Sequence, residues 1–170
     1  MPPSLLEKLV RETHRAEHQA IEHPVREARR LGDAPPITAL RNVALHATAL
    51  RPRFEAVLIG HGVALHRGGV GATLSALRLR VVDRVVDAER AFRTVLLDLR
   101  HGQDVVRLLR EVARRELVFG LIRWCDDWLG ARRTLVASVE AQLGWFAAHT
   151  ALVLRPHGDP DTHDHADRSP

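Results

Sequence analysis

His14 and His18 stand four residues apart, and Glu22 follows after four more. On a helix this spacing projects all three side chains from one face, a geometry that suits zinc or copper. The same face lies opposite the stripe made by Leu5, Leu9 and Ala20, so a solvated polar surface is the simpler account of it. His46 borders the apolar stripe of a second helical segment and is a candidate haem ligand, although the chain has no CxxCH attachment motif. In the tail, His157, His163 and His165 alternate with aspartates and can chelate a divalent ion weakly.

Other chemistries meet obstacles in the residues themselves. Di-metal carboxylate sites in helical bundles need Glu-x-x-His on two helices and a further Glu from each of two others. No glutamate in this chain has a histidine three residues later, and the nearest pattern is Asp98 with His101. Cys125 stands next to Asp126 and Asp127, whose negative charge opposes thiolate formation. The turn Gly68-Gly69-Val70-Gly71-Ala72-Thr73 precedes a helix start, but it lacks the phosphate-binding lysine and a leading strand. Trp124 and Trp128 share a helix face, and with Trp145 they form a candidate aromatic cluster for the core or for a partner contact. No catalytic residue and no cofactor-binding residue is assigned.

The elements that must position these side chains are helical throughout. Ser4 and Glu7 form a capping-box pattern at the start of the first helix. Its stripe runs through Leu5, Leu9, Thr13, Ala16, Ala20, Ala28 and Leu31, with a kink expected at Pro24 and a stop at Gly32. The second helix is expected over about 38–59, striped by Leu40, Val43, Ala47, Leu50, Phe54 and Leu58, with a bend near Thr48 ahead of Pro52. A glycine-rich connection over 60–71 follows. Leu74, Leu77, Val81, Val85, Ala88, Phe92, Val95 and Leu99 then form a heptad-like seam. Gly102 is expected to end that helix and Asp104 to cap the next. The proline-free stretch 104–154 is too long for one helix of a small bundle, and a break is expected between Gly120 and Gly130 with Asp126 or Asp127 as cap.

Length and composition agree with that reading. The chain has 170 residues, 45% hydrophobic and 27% charged, which is ordinary for one globular domain. A single cysteine excludes an intrachain disulfide and a CxxC pair. No apolar run approaches the ~20 residues of a spanning helix, and the first residues lack a signal-peptide pattern, so a cytoplasmic protein is expected. Of the basic residues, 24 are arginine and only Lys8 is lysine. The net charge of +4 divides into +6 over 1–154 and −2 over 155–170. The arginines are interleaved with acids, which favours a solvated helical surface over nucleic-acid or anionic-membrane binding.

In layout the chain resembles the ferritin-like helical bundles of the non-metal bacterial kind. The stretch from Leu40-Arg-Asn-Val-Ala-Leu-His46 through the glycine-rich connection to Asp83-Arg-Val-Val-Asp87-Ala-Glu89-Arg-Ala-Phe92 carries this resemblance, by helix length and loop. It implies a fold and no activity, because the family's Glu and His ligands match no residue here. The sequence therefore leads to an all-α, antiparallel four- to five-helix bundle over 1–154, with a disordered His/Asp/Pro-rich tail over 155–170. The expected role is non-catalytic, in self-association or in binding a helical partner. A metal- or haem-binding bundle and an arginine-dependent nucleic-acid or membrane binder are the alternatives.

Overall fold

The computed structural model describes residues 4–60 and 87–153. Helix α1 spans Leu5–Leu31, α2 Pro35–Gly60, α3 Ala88–Arg115 and α4 Phe119–Ala141. Two short helices, α5 (Leu143–Ala148) and α6 (Thr150–Val153), follow. The described residues form an all-α, four-helix bundle. The seam positions Leu74, Leu77, Val81 and Val85, most of the glycine-rich connection, and the tail 155–170 lie outside them.

Helix α1 begins as its sequence dictates. The Glu7 amide donates to Ser4 Oγ at 3.1 Å, and the Ser4 amide donates to Glu7 Oε2 at 3.2 Å. It ends where Gly32 adopts φ 61° and donates its amide to the Ala28 carbonyl at 2.9 Å. Pro24 and Pro52 each remove one ladder donor, yet α1 and α2 continue through them. In α2 the Thr48 hydroxyl donates back to the Ala44 carbonyl at 2.9 Å, one turn ahead of Pro52.

The helix directions follow from the two apolar clusters. One joins Leu6, Leu9 and Val10 of α1 to Phe54 and Leu58 of α2, Val105 to Ala113 of α3, and Leu121 to Leu129 of α4. The other joins Ala20 to Ile37 to Ala47, Phe92 to Leu99, and Val136 to Phe146. So α1 and α4 run one way, and α2 and α3 run the other. Helix α1 packs on α2 and α3, and α4 packs on the same two, so every neighbouring pair is antiparallel. The end of α2 and the start of α3 lie at opposite ends of the bundle.

Two expected breaks fall elsewhere. Gly102 does not end α3: it is buried, and a Cβ added there would meet Ala16 Cβ at 3.6 Å. The small residue lets α1 and α3 approach. Burial of Val105, Val106, Leu109 and Ala113 beyond it outweighs the ~1 kcal/mol helix penalty of glycine. Asp104 is accordingly a mid-helix residue bonded to Arg107 at 2.6 Å. The turn between α3 and α4 lies at 116–118, ahead of Gly120, and α4 runs unbroken through Gly130. Asp126 and Asp127 cap nothing: they pair with Arg110 at 3.2 Å and Arg53 at 2.6 Å.

The turn itself is a Schellman motif. The Val118 amide donates to the Ala113 carbonyl at 2.9 Å, and the Leu117 amide to the Arg114 carbonyl at 3.3 Å. Leu117 occupies the left-handed position of this motif at φ 58°, where glycine is the usual residue. In the dilute, monomeric chain, Leu117→Gly is expected to raise unfolding stability by about 1 kcal/mol through relief of that strain. A urea midpoint equal to or below that of the wild type would show that the leucine is not strained there.

Candidate functional site

Between the two apolar clusters the bundle carries a polar layer. Helix α1 supplies Thr13 and Glu17, and α4 supplies Trp128 and Arg132, all buried. Helix α2 adds half-buried His46 and the backbone carbonyl of Val43. The Arg132 guanidinium donates through Nη2 to Glu17 Oε1 at 2.5 Å and through Nη1 to the Val43 carbonyl at 3.4 Å. Its Cζ lies 4.6 Å from the centroid of the Trp128 ring, a cation–π contact. One side chain from α4 thereby ties α1, α2 and α4 together.

The layer is incompletely satisfied by protein atoms. Thr13 Oγ1, Glu17 Oε2, His46 Nδ1, Trp128 Nε1 and Arg132 Nε are buried without a hydrogen-bond partner. The Trp128 indole N–H lies against the Glu17 carboxylate outside hydrogen-bonding geometry, close enough to favour its charged form. Burial is the larger effect and pushes the Glu17 carboxyl upward, against the opposing pull of Arg132. Burial likewise lowers the Arg132 guanidinium, and Glu17 opposes that shift. His46 is lowered to about 4, first by burial and then by the charge of Arg132. It is a neutral imidazole at physiological pH.

A second buried polar group sits nearly two turns further along α1 from Glu17. His23 is 3% exposed, and Arg26 Nη2 donates to its Nδ1 at 3.0 Å. That bond leaves the proton on Nε2, which faces Asp98 Oδ2 of α3 at 3.8 Å. Burial, and then Arg26, lowers the imidazole to about 3. Glu27, fully buried, accepts from Arg26 Nε and from Arg30 Nη1, each at 3.0 Å.

Two cavities flank Glu17. The first lies between α1, α3 and α4 and is lined by Glu17, His23, Asp98, Gly102, Trp128 and Arg132, among others. The second, toward α2, is lined by His14, Glu17, His18, Arg51, Phe54 and Trp124. Each measures about 10 Å³, room for roughly one water molecule.

The residues singled out in the sequence fall in different places. His14 is half-buried on the second cavity, and burial lowers its imidazole. His18 and Glu22 are exposed and approach each other at 3.4 Å. Among the described residues no three His, Cys, Asp or Glu side chains are gathered to hold a metal ion. The tryptophans divide: Trp124 and Trp128 are enclosed with Phe54, their own centroids 6.2 Å apart. Trp145 stacks on His149 at 4.3 Å and meets Phe146 edge-on, at the opposite end. The three do not make one cluster, and Trp124 and Trp128 present no surface to a partner.

Glu17 and Arg132 escaped the sequence reading because charge was assigned to the solvated faces. Spacing carried the signal: Glu17 falls in register with Val10, Thr13, Ala20 and Pro24, and Arg132 with Trp128, Leu129, Val136 and Val139. Most other arginines do serve the surface. Arg51–Glu55 and Arg107–Asp104 pair along a helix, and Arg100–Glu140 pairs across two. Cys125 is fully buried, and its thiol is pushed up to about 12 by burial and then by Asp126. Native protein is expected to resist a disulfide thiol reagent at pH 8 and to react with one equivalent once unfolded. Rapid labelling of the native protein would contradict this placement.

Comparison with protein families, curated proteins and solved structures finds no match for the chain. Among the described residues no helix is long and apolar enough to cross a membrane.

Proposed function

We propose that this protein acts by association, through the end of the bundle that carries the α3–α4 turn, with a second copy of itself as the partner. The observation behind this is Leu117, a 66% exposed leucine held at a backbone position that favours glycine. Strain combined with exposed apolar surface finds no compensation inside the monomer. Phe119, 69% exposed, follows two residues later. Leu5 and Ile59, both exposed, belong to the same end by the course of α1 and α2.

The charge at this end supports self-association. Exposed Arg115, Glu116 and Arg123 flank the turn, with no ion pair of their own among the described residues. A two-fold contact places one copy's patch on the same patch of the other, so both signs of charge must be present in it. Arg115 and Arg123 of one copy can then face Glu116 of the other. The order of the described helices is compatible with the ferritin-like layout that the sequence resembles, and it supports an architecture and no activity.

Size exclusion with light scattering tests the proposal on the full chain. The wild type is expected to be a dimer, and Leu117→Ser with Phe119→Ser a monomer of unchanged helical content. A wild type that stays monomeric up to its solubility limit, or a double variant that still dimerises, would overturn it.

A further inference from the structure

We infer that the first cavity is a water site, with one internal water bridging Glu17 of α1 to Trp128 and Arg132 of α4. Those three residues line the cavity, and each has a buried polar atom outside hydrogen-bond geometry with any protein group: Glu17 Oε2, Trp128 Nε1, which lies against that carboxylate, and Arg132 Nε. They are at most 5% exposed, so bulk solvent does not satisfy them. Leaving a buried polar group unpaired is costly, and more so for a charged one. Native interiors avoid that cost with protein partners or with ordered water.

The donor and acceptor set identifies the ligand. Glu17 Oε2 accepts only, whereas the indole N–H and the guanidinium Nε–H donate only. The occupant must therefore donate and accept at once, and a cavity of about 10 Å³ limits it to about one heavy atom. A halide accepts only and would face the Glu17 carboxylate. An ammonium ion donates only and would face Arg132. Water meets both demands, with about three hydrogen bonds, the usual number for an internal water. The cavity's outer lining, His23 and Asp98, gives the site a polar side toward the α1–α3 groove.

The consequence is that the central ion pair is hydrated. Glu17 is then bonded on both oxygens, to Arg132 through Oε1 and to the water through Oε2. A crystal structure of the wild-type chain at a resolution that shows ordered solvent, grown from bromide, tests this. Solvent density within about 3.2 Å of both Glu17 Oε2 and Trp128 Nε1, with no anomalous signal, is the expected result. In solution, the Trp128 indole proton is expected to show a water cross-relaxation peak that Trp124, whose Nε1 donates to the Leu50 carbonyl at 3.3 Å, lacks. A dry cavity, or anomalous bromide density in it, overturns the inference.

Discussion

Glu17→Ala is expected to lower unfolding stability by about 3–5 kcal/mol, the cost of stranding a buried charge. Arg132, 1% exposed in the wild type, would keep only a long bond to the Val43 carbonyl and the face of Trp128. A guanidinium cannot escape by losing its proton. The reciprocal Arg132→Ala strands Glu17, but a carboxylate can take up a proton, and burial already biases Glu17 that way. The arginine deletion should therefore cost less than the glutamate deletion, increasingly so as pH falls. Replacing both by methionine removes the desolvation problem and is expected to restore or exceed wild-type stability. Urea titration of the three variants checks all of this. A Glu17→Ala loss below about 1 kcal/mol would place the pair in water instead.

Such a pair contributes little net stability over an apolar layer, so its effect must be sought in geometry. Helices α1 and α4 are diagonal in the bundle and run the same way. Arg132 spans that diagonal to Glu17 while also reaching the backbone of α2. Sliding any of these helices by one turn would strand the charges between the apolar clusters. The pair therefore selects one register from those that the leucines and valines alone would allow.

What could be read in advance was the part governed by periodicity and local capping. The Ser4–Glu7 box, the Gly32 stop and the stripe Leu40, Val43, Ala47, Phe54, Leu58 all stand where spacing places them. On α1 the stripe is rotated: Leu6 is buried and Leu5 exposed, because the buried face continues through Glu17, His23 and Glu27. Those residues look like surface in composition, and only their tertiary partners make burial tolerable. Gly102 was similarly ambiguous, since a glycine that ends a helix and one that admits a neighbouring helix are the same letter. The α3–α4 turn was hidden because a leucine occupies the position that normally announces itself by glycine.

Acidification from pH 7.5 to 5.5 is expected to remove about 1.4 kcal/mol of stability through buried His23, and half-buried His46, screened by solvent, adds a smaller loss in the same direction. The folded-state values are lowered to about 3 and about 4, against 6.5 for a solvated imidazole. Between those limits the unfolded chain binds protons that the folded chain does not. The stability is thus complete above about pH 7, falls as pH drops through 6.5, and continues falling toward the folded-state values. His23 contributes a slope approaching 1.4 kcal/mol per pH unit, and half-buried His46 a shallower one. His14, also lowered, acts in the same direction. Glu17 and Asp98 are raised by burial, bind their protons first in the folded state, and so oppose the loss as acid increases. The histidine slope should therefore be cleanest above the carboxylate range. His23→Gln keeps a polar side chain between Arg26 and Asp98 but cannot titrate, and it should reduce the loss between pH 7.5 and 5.5 by about 1.4 kcal/mol. Urea midpoints at the two pH values suffice to measure it. An unchanged pH difference in that variant would mean that His23 already carries its proton in the folded protein, paired with Asp98 rather than buried neutral against it.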